Sequence, residues 1–320
     1  MLRRILSILS ILSMSGGLLA PAAEPSPIYH PAHPFKGDLT LVGSDSMDPL
    51  VRLWFEEFRK FHPDAQLSAI SKGSGTAPKA LQEGRSVIGP MSRPMTAAEE
   101  AAFEKEKGYK PTRVVVAHDA LAIWVHRNNP LKSVSMEQLD AIYSKTRKAG
   151  LTKALTTWGA LGLHGRWRKK AILPFGRDEL SGSRAFFQEH VLLKAPFTDS
   201  YRVAGDQWAV VEAPGNDARG ISYGPLNYTG ALVRQVPVIP TDGCKAFMAT
   251  PETILNGKYP LARTLNFYLD RGPGHPLPAL ASEFLSFVLS RQGQALVASY
   301  GSVEVPAEQV RSQRSQLEIP

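Results

Sequence analysis

Apolar positions in this chain alternate between short unbroken runs and stripes at helical spacing. A run over 39–42 predicts a strand. Leu50, Trp54, Phe58 and Phe61 then recur at helical spacing, and Val51 and Phe55 widen the stripe. That pattern predicts a core-facing helix closed by His62-Pro63-Asp64. Further strands are predicted over 67–70 and 87–91. Between them Pro78 suits a first helical turn whose Leu81 points inward. An acidic helix is predicted over 97–107. The stretches 114–117 and 120–125 are almost continuously apolar, as buried parallel strands are, and Asn129-Pro130 ends them. Ser135 and Gln138 fit a capping box opening a helix through Tyr143. Later strands are predicted over 171–175, 220–223, 236–239 and 265–269. Helices are predicted around Phe186, Phe187 and Val191 and around Phe284, Leu285, Val288 and Leu289. Strands alternating with helices predict an α/β fold with parallel sheets, whose ligands bind beyond the carboxyl ends of the strands.

The two ends of the composition narrow the setting. Arg3 and Arg4 precede an apolar stretch over 5–20 that is broken by serines and by Gly16-Gly17, and Ala20-Pro21-Ala22 offers small residues for cleavage. Residues 1–22 are therefore expected to be a cleaved export signal, too short and interrupted for a membrane anchor. Residues 23–37, rich in Pro and His, are expected to form a mobile leader. Cys244 is the single cysteine, so no internal disulfide can form and no lipidation cysteine stands at the signal's end. A free periplasmic protein, monomeric, is the expectation. Loss of Arg3 and Arg4 leaves about +6 of the formal +8 charge. The excess is spread out, apart from Arg166, Arg168, Lys169 and Lys170, which read as a solvated face, and no basic stripe or zinc-finger spacing points to nucleic acid.

The candidate chemistry lies in three loops of one kind. Gly43-Ser44-Asp45-Ser46, Gly73-Ser74-Gly75-Thr76 and Ser181-Gly182-Ser183 each follow a predicted strand and precede a predicted helix. A helix start carries free N–H groups and the positive end of the dipole; Gly admits a ligand to the backbone, and Ser or Thr adds a hydroxyl. Three such turns converging would cage a small anion, with Arg177 as countercharge.

With these segments in order the chain resembles the PstS-type periplasmic phosphate-binding proteins, receptors of phosphate ABC transporters. The resemblance rests on Val42-Gly43-Ser44-Asp45-Ser46, Lys72-Gly73-Ser74-Gly75-Thr76, Gly89-Pro90-Met91-Ser92-Arg93-Pro94, Arg177-Asp178-Glu179-Leu180-Ser181-Gly182-Ser183 and Gly220-Ile221-Ser222-Tyr223-Gly224. It implies a type II periplasmic binding protein fold: two α/β lobes, each a mostly parallel sheet flanked by helices, with phosphate in the cleft between them. Lobe I would comprise 38–121 and 263–320, and lobe II 122–262. The implied ligand contacts are Ser44, Asp45, Ser46 and Met47 in the first loop, Ser74, Gly75 and Thr76 in the second, Ser92 and Arg93 after the third strand, and Arg177, Ser181, Gly182 and Ser183 in lobe II. Glu179 stands where the family has an acid that steadies the arginine. Delivery to a membrane permease is implied, with no cofactor and no metal.

One departure bears on selectivity. Relatives often carry Ser-Asp where this chain has Ser92-Arg93, and that Asp accepts a hydrogen bond from protonated phosphate. Asp45 has either taken over that acceptor role, or it caps the following helix or pairs with Arg177 or Arg93. Arg93 would reach the anion or lock the lobes by ion pairing. Asn216 and Asp217 lie in the turn-rich segment Pro214-Gly215-Asn216-Asp217, which reads as a surface turn in preference to a flap folded over the cleft. Other classes remain as alternatives: a receptor for a related oxyanion, a phosphate-ester hydrolase using Ser74, or a surface protein whose phosphate cleft is secondary. Ser74 lies in no Gly-x-Ser-x-Gly elbow, and His118 with Asp119 are adjacent in sequence, which establishes no triad. The eight His show no metal spacing.

Overall fold

Strand β4 (Thr112–His126) runs for 15 residues, roughly 50 Å of extended chain, and the rest of the molecule is arranged along it. A computed structural model describes residues 25–319 other than 32, 228, 229 and 242. The expected signal peptide lies outside the described residues.

Lobe I begins with β1 (Gly37–Gly43), α1 (Asp48–Arg59), β2 (Ala65–Ser71), α2 (Ala77–Gln82), β3 (Ile88–Met91) and α3 (Ala97–Lys107). The stripe seen in the sequence buries Leu50, Val51, Trp54, Phe55 and Phe58 of α1 against the sheet. The acidic helix α3 is started by a capping box between Thr96 and Glu99 and stopped by Gly108 in the left-handed region. Beyond β4 come β5 (Val134–Ser135), α4 (Met136–Tyr143), β6 (Leu173–Gly176), α5 (Gly182–His190), β7 (Arg202–Val203), α6 (Gln207–Asn216), β8 (Gly220–Pro225), β9 (Val233–Val236), β10 (Val238–Ile239) and α7 (Pro251–Leu255). The capping box between Ser135 and Gln138 is present at α4. The chain returns along β11 (Ala262–Leu269) and closes with α8 (Ala279–Val288), α9 (Arg291–Tyr300) and α10 (Ala307–Leu317).

The sheet order is β2-β1-β3-β11-β4-β8-β6-β7, with β9 also on β4. Pairing is parallel among β1, β2 and β3 and among β6, β7 and β8. It is antiparallel wherever β4 or β11 takes part. The expectation of parallel strands at 114–117 and 120–125 is thus corrected: they are one strand, antiparallel to β11 over Thr112–Ala120 and to β8 over Leu121–Val125. Continuous apolarity reports burial on both faces and is silent on direction. One large core gathers Trp54, Phe58, Phe267, Phe284 and Phe287, and a second gathers Tyr143, Trp158, Phe187 and Tyr223.

Within the segment expected to be a leader, Tyr29 packs on lobe I, buried against Phe61 and Phe287. Phe35 N donates to His62 Nδ1, His62 Nε2 meets the Tyr29 hydroxyl, and that hydroxyl donates to Glu283. Burial lowers the His62 pKa, in keeping with a neutral ring that accepts at one nitrogen and donates at the other. Residues 214–216 are the last of α6 and no turn; Asp217 then pairs with Arg219. Among the described residues no helix is long and apolar enough to cross a membrane.

Candidate functional site

The carboxyl ends of β1, β2 and β3 bring the first-lobe loops together. Ser44 N donates to the Pro90 carbonyl (2.8 Å) and Gly73 N to the Gly43 carbonyl (2.9 Å), which ties the first loop to both neighbours. Gly73 has φ +111, a region L side chains avoid, and its α-carbon faces the Leu180 carbonyl so closely that a side chain would collide with it. Across the cleft Gly75 N donates to that same Leu180 carbonyl (3.2 Å), so the second and third loops are hydrogen-bonded lobe to lobe.

Hydroxyls then cluster. Ser44 and Ser46 share a hydrogen bond of 3.0 Å, and Ser74 and Ser92 one of 3.2 Å. Ser92 N also donates to Ser74 Oγ (3.0 Å). Gly182, first residue of α5, lies against both of these hydroxyls: a β-carbon there would stand 2.2 Å from Ser74 Oγ and 2.5 Å from Ser92 Oγ. Glycine is required for the lobes to meet this closely. Ser181 occupies the N-cap of α5 without using its side chain as a cap, and its Oγ is buried with no partner. Ser44, Ser46, Ser74, Ser92, Ser181 and Ser183 are all buried.

Arg177 follows β6 and reaches across the cleft. Its Nη2 pairs with Asp45 Oδ2 of the first loop, and its Nε donates to the Gly205 carbonyl (3.0 Å). Nη1 of Arg177 and Oδ1 of Asp45 are buried without partners. Helix α1 has no side-chain cap, so Asp45 is an ion-pair partner and not a helix cap. The backbone of Arg177 is held by tyrosines: Tyr201 donates to its carbonyl (2.7 Å) and meets the Tyr223 hydroxyl at 2.8 Å. Burial raises the Tyr201 pKa to about 12 and that of Tyr223 well above the ordinary value, which keeps both as neutral hydroxyls.

Other predicted site residues lie elsewhere or are largely engaged, although Arg93 Nε is buried without a partner. Arg93 makes a two-pronged contact with Glu99 at 2.7 Å on each arm and donates to Pro94, all within lobe I, so it locks no lobes together. Burial opposes charge on Glu99, yet Arg93 and the Thr96 backbone outweigh it and its pKa is lowered. Glu179 is 87% exposed and 3.6 Å from Arg184, not in contact with Arg177. The Thr76 hydroxyl donates to the Gly73 carbonyl and so braces its own loop. Met47 is fully buried in the first core, so its side chain is turned to packing. The basic cluster is largely exposed, with Lys170 over the Trp167 ring.

Sequence reasoning missed one element of the site. Ser183 Oγ accepts from Arg263 Nη1 (2.8 Å), and Arg263 pairs with Asp119. The sequence shows Asp119 only as the neighbour of His118; the register that sets it opposite Arg263 is not visible there. Among the described residues no group of His, Cys, Asp or Glu could hold a metal ion.

A family model of the PBP superfamily domain matches residues 30–292. The phosphate-binding protein PstS of Pseudomonas aeruginosa is 39% identical over 310 residues, covering 96% of each chain. A solved phosphate ABC transporter substrate-binding protein from Clostridium perfringens, with bound phosphate, superposes with a TM-score of 0.69 at 27% identity, over 84% of this chain and 100% of that one. A phosphate transport receptor from Vibrio cholerae shares the fold, with a TM-score of 0.66 at 20% identity over 84% of this chain and all of its own. The chain belongs to the PBP superfamily, within the phosphate-binding PstS family.

Proposed function

We propose that this protein captures inorganic phosphate between its lobes, divided at 121/122 and 262/263, and delivers it to the membrane permease of an ABC transporter outside the cytoplasm. The observation that carries the reading is a set of buried polar atoms without partners on the loops that meet across the cleft: Arg177 Nη1, Ser181 Oγ and Asp45 Oδ1. Buried polar groups are satisfied as a rule, and three exceptions grouped in one cleft call for a partner that an anion there would supply. Two donors and one carboxylate oxygen match an anion that itself carries a proton. The Asp45–Arg177 pair is neutral overall, so the charge of the anion is met by the N-terminal ends of α1 and α5 and by serine hydroxyls. Asp45 Oδ1 accepts the phosphate proton; sulfate, with no proton at neutral pH, would face a bare carboxylate. The relatives named as phosphate-binding proteins support the same ligand.

Hydrolysis through Ser74 is the weaker reading. Its hydroxyl is bonded to the Ser92 hydroxyl and backbone N–H, neither of which is a base. Asp119, the imagined triad acid, is committed to Arg263. Export through the 1–22 signal, without a lipid anchor, completes the reading.

Calorimetry of phosphate-stripped protein tests it. One phosphate should bind per chain, with sulfate and molybdate much weaker. At a hundredfold excess over Kd, phosphate should stabilise the fold by about 2.7 kcal/mol. No heat and no shift in melting midpoint at millimolar phosphate would exclude the receptor function.

A further inference from the structure

We infer that Arg263 is a positioning residue for anion capture, holding the Ser183 hydroxyl as an acceptor so that its one proton is turned to the bound anion. The inference rests on the phosphate reading above and adds a residue outside the three loops.

Arg263 on β11 stands directly opposite Asp119 on β4 in the antiparallel ladder between the two crossing strands. Its Nε and Nη2 donate to Asp119 Oδ2 at 3.0 and 2.7 Å, and its Nη1 donates to Ser183 Oγ at 2.8 Å. The side chain is 1% exposed and that of Asp119 is 7% exposed, so the guanidinium is fixed on both sides. A guanidinium has no acceptor, and therefore Ser183 Oγ must be the acceptor in this bond. A hydroxyl has a single proton to give. With one lone pair occupied by a cation, that proton points away from Arg263, and polarisation by the cation makes it a stronger donor.

The place where it points follows from the chain. Ser183 is the second residue of α5, next to Gly182, which lies against the hydroxyls of Ser74 and Ser92, and two residues after Ser181 with its unpartnered hydroxyl. An unbraced serine at this position would choose among rotamers and also between donating and accepting; Arg263 removes the second choice before the anion arrives. Pre-organised donors of this kind lower the cost of binding. The brace comes from the crossing strands, so Ser183 of lobe II is oriented from the hinge and not from within its own lobe.

The test is a double-mutant cycle read by calorimetry with inorganic phosphate. Removing Arg263 alone would leave Asp119 buried and unpaired, so the cycle uses the charge-neutral pair Asp119→Asn/Arg263→Gln, Ser183→Ala, and the triple variant. The neutral pair should lose affinity roughly tenfold or more, the scale of one charge-assisted hydrogen bond, and Ser183→Ala at least as much. The triple variant should be within about twofold of Ser183→Ala, because Arg263 has nothing left to orient. A purely structural role predicts the opposite: the full loss repeated in the Ser183→Ala background. That additive result, or an unchanged affinity in the neutral pair, overturns the inference. Should the neutral pair not fold, Arg263→Lys keeps the charge beside Asp119 but shortens the reach to Ser183, and the same dependence on Ser183 is expected. Wild-type protein that binds no phosphate would overturn the phosphate reading itself. Wild-type binding with additive losses removes only the role of Arg263.

Discussion

Arg263 and Arg177 are both buried, and each meets one aspartate. In the hinge pair all three guanidinium nitrogens of Arg263 are bonded, two to Asp119 and one to Ser183. In the cleft pair Arg177 keeps Nη1 free of any partner, and Asp45 keeps Oδ1. The first pair joins two strands side by side in one ladder; the second joins loops of opposite lobes. A pair whose guanidinium is fully engaged offers no direct bond to a ligand and can act only through the groups it holds, here the Ser183 hydroxyl. A half-saturated pair leaves donors and acceptors whose desolvation has already been borne, and a ligand that fits them gains their full hydrogen bonds.

The largest expected effect breaks the saturated pair. Asp119→Ala leaves Arg263 buried without its carboxylate and should cost about 3–5 kcal/mol of stability in urea unfolding. Asp45→Ala in phosphate-free protein should cost roughly 1 kcal/mol, because parting of the lobes returns Arg177 to water. Equal losses in the two variants would show that the cleft pair is as structural as the hinge pair.

Next in size is the ligand side of the same contrast. Arg177→Ala should weaken phosphate binding by about 3 kcal/mol, on the order of a hundredfold, since charge-assisted bonds from a fixed fork are lost. Arg177→Lys should fall between, as a point charge cannot reproduce the fork. Near-native affinity of Arg177→Ala in calorimetry would place the anion elsewhere.

A smaller effect separates phosphate from sulfate. Asp45→Asn keeps size, removes charge and lets an amide donate. Phosphate affinity should fall by about 1–3 kcal/mol while sulfate is unchanged or tighter. An unaltered ratio in competition binding at neutral pH would reduce Asp45 to a partner of Arg177.

Much of this was legible before the structure. The helical stripe of α1, the capping box at α4 and the three Gly/Ser loops depend on local spacing, and local spacing is what a sequence displays. The direction of β4 was not legible, because a strand buried on both faces shows no period from which a partner's direction can be read. The seat of Tyr29 was hidden among prolines and histidines, since its partners His62 and Glu283 lie 33 and 254 residues away. Arg263 was hidden for the same reason: it lies 80 residues from Ser183 and 144 from Asp119. Arg93 misled in the other direction. It stands in a ligand-bearing segment, but the helix that follows brings Glu99 to it six residues later.

The smallest expected effect concerns the acid beside the binding loop. Family resemblance set Glu179 as the support of Arg177, whereas here Arg177 is supported by Asp45, by the Gly205 carbonyl and by the tyrosine that grips its backbone. Glu179 is 87% exposed and stands 3.6 Å from Arg184, whose guanidinium also lies over the rings of Phe197 and Tyr201. An exposed pair at that distance contributes between about 0 and 1 kcal/mol, and Arg184 keeps its aromatic seat without it. Glu179→Gln should therefore leave phosphate affinity within about twofold of wild type, the lower part of that range. A tenfold loss would mean that phosphate draws Glu179 inward to Arg177, and that the open half of the cleft pair is completed by protein as well as by ligand.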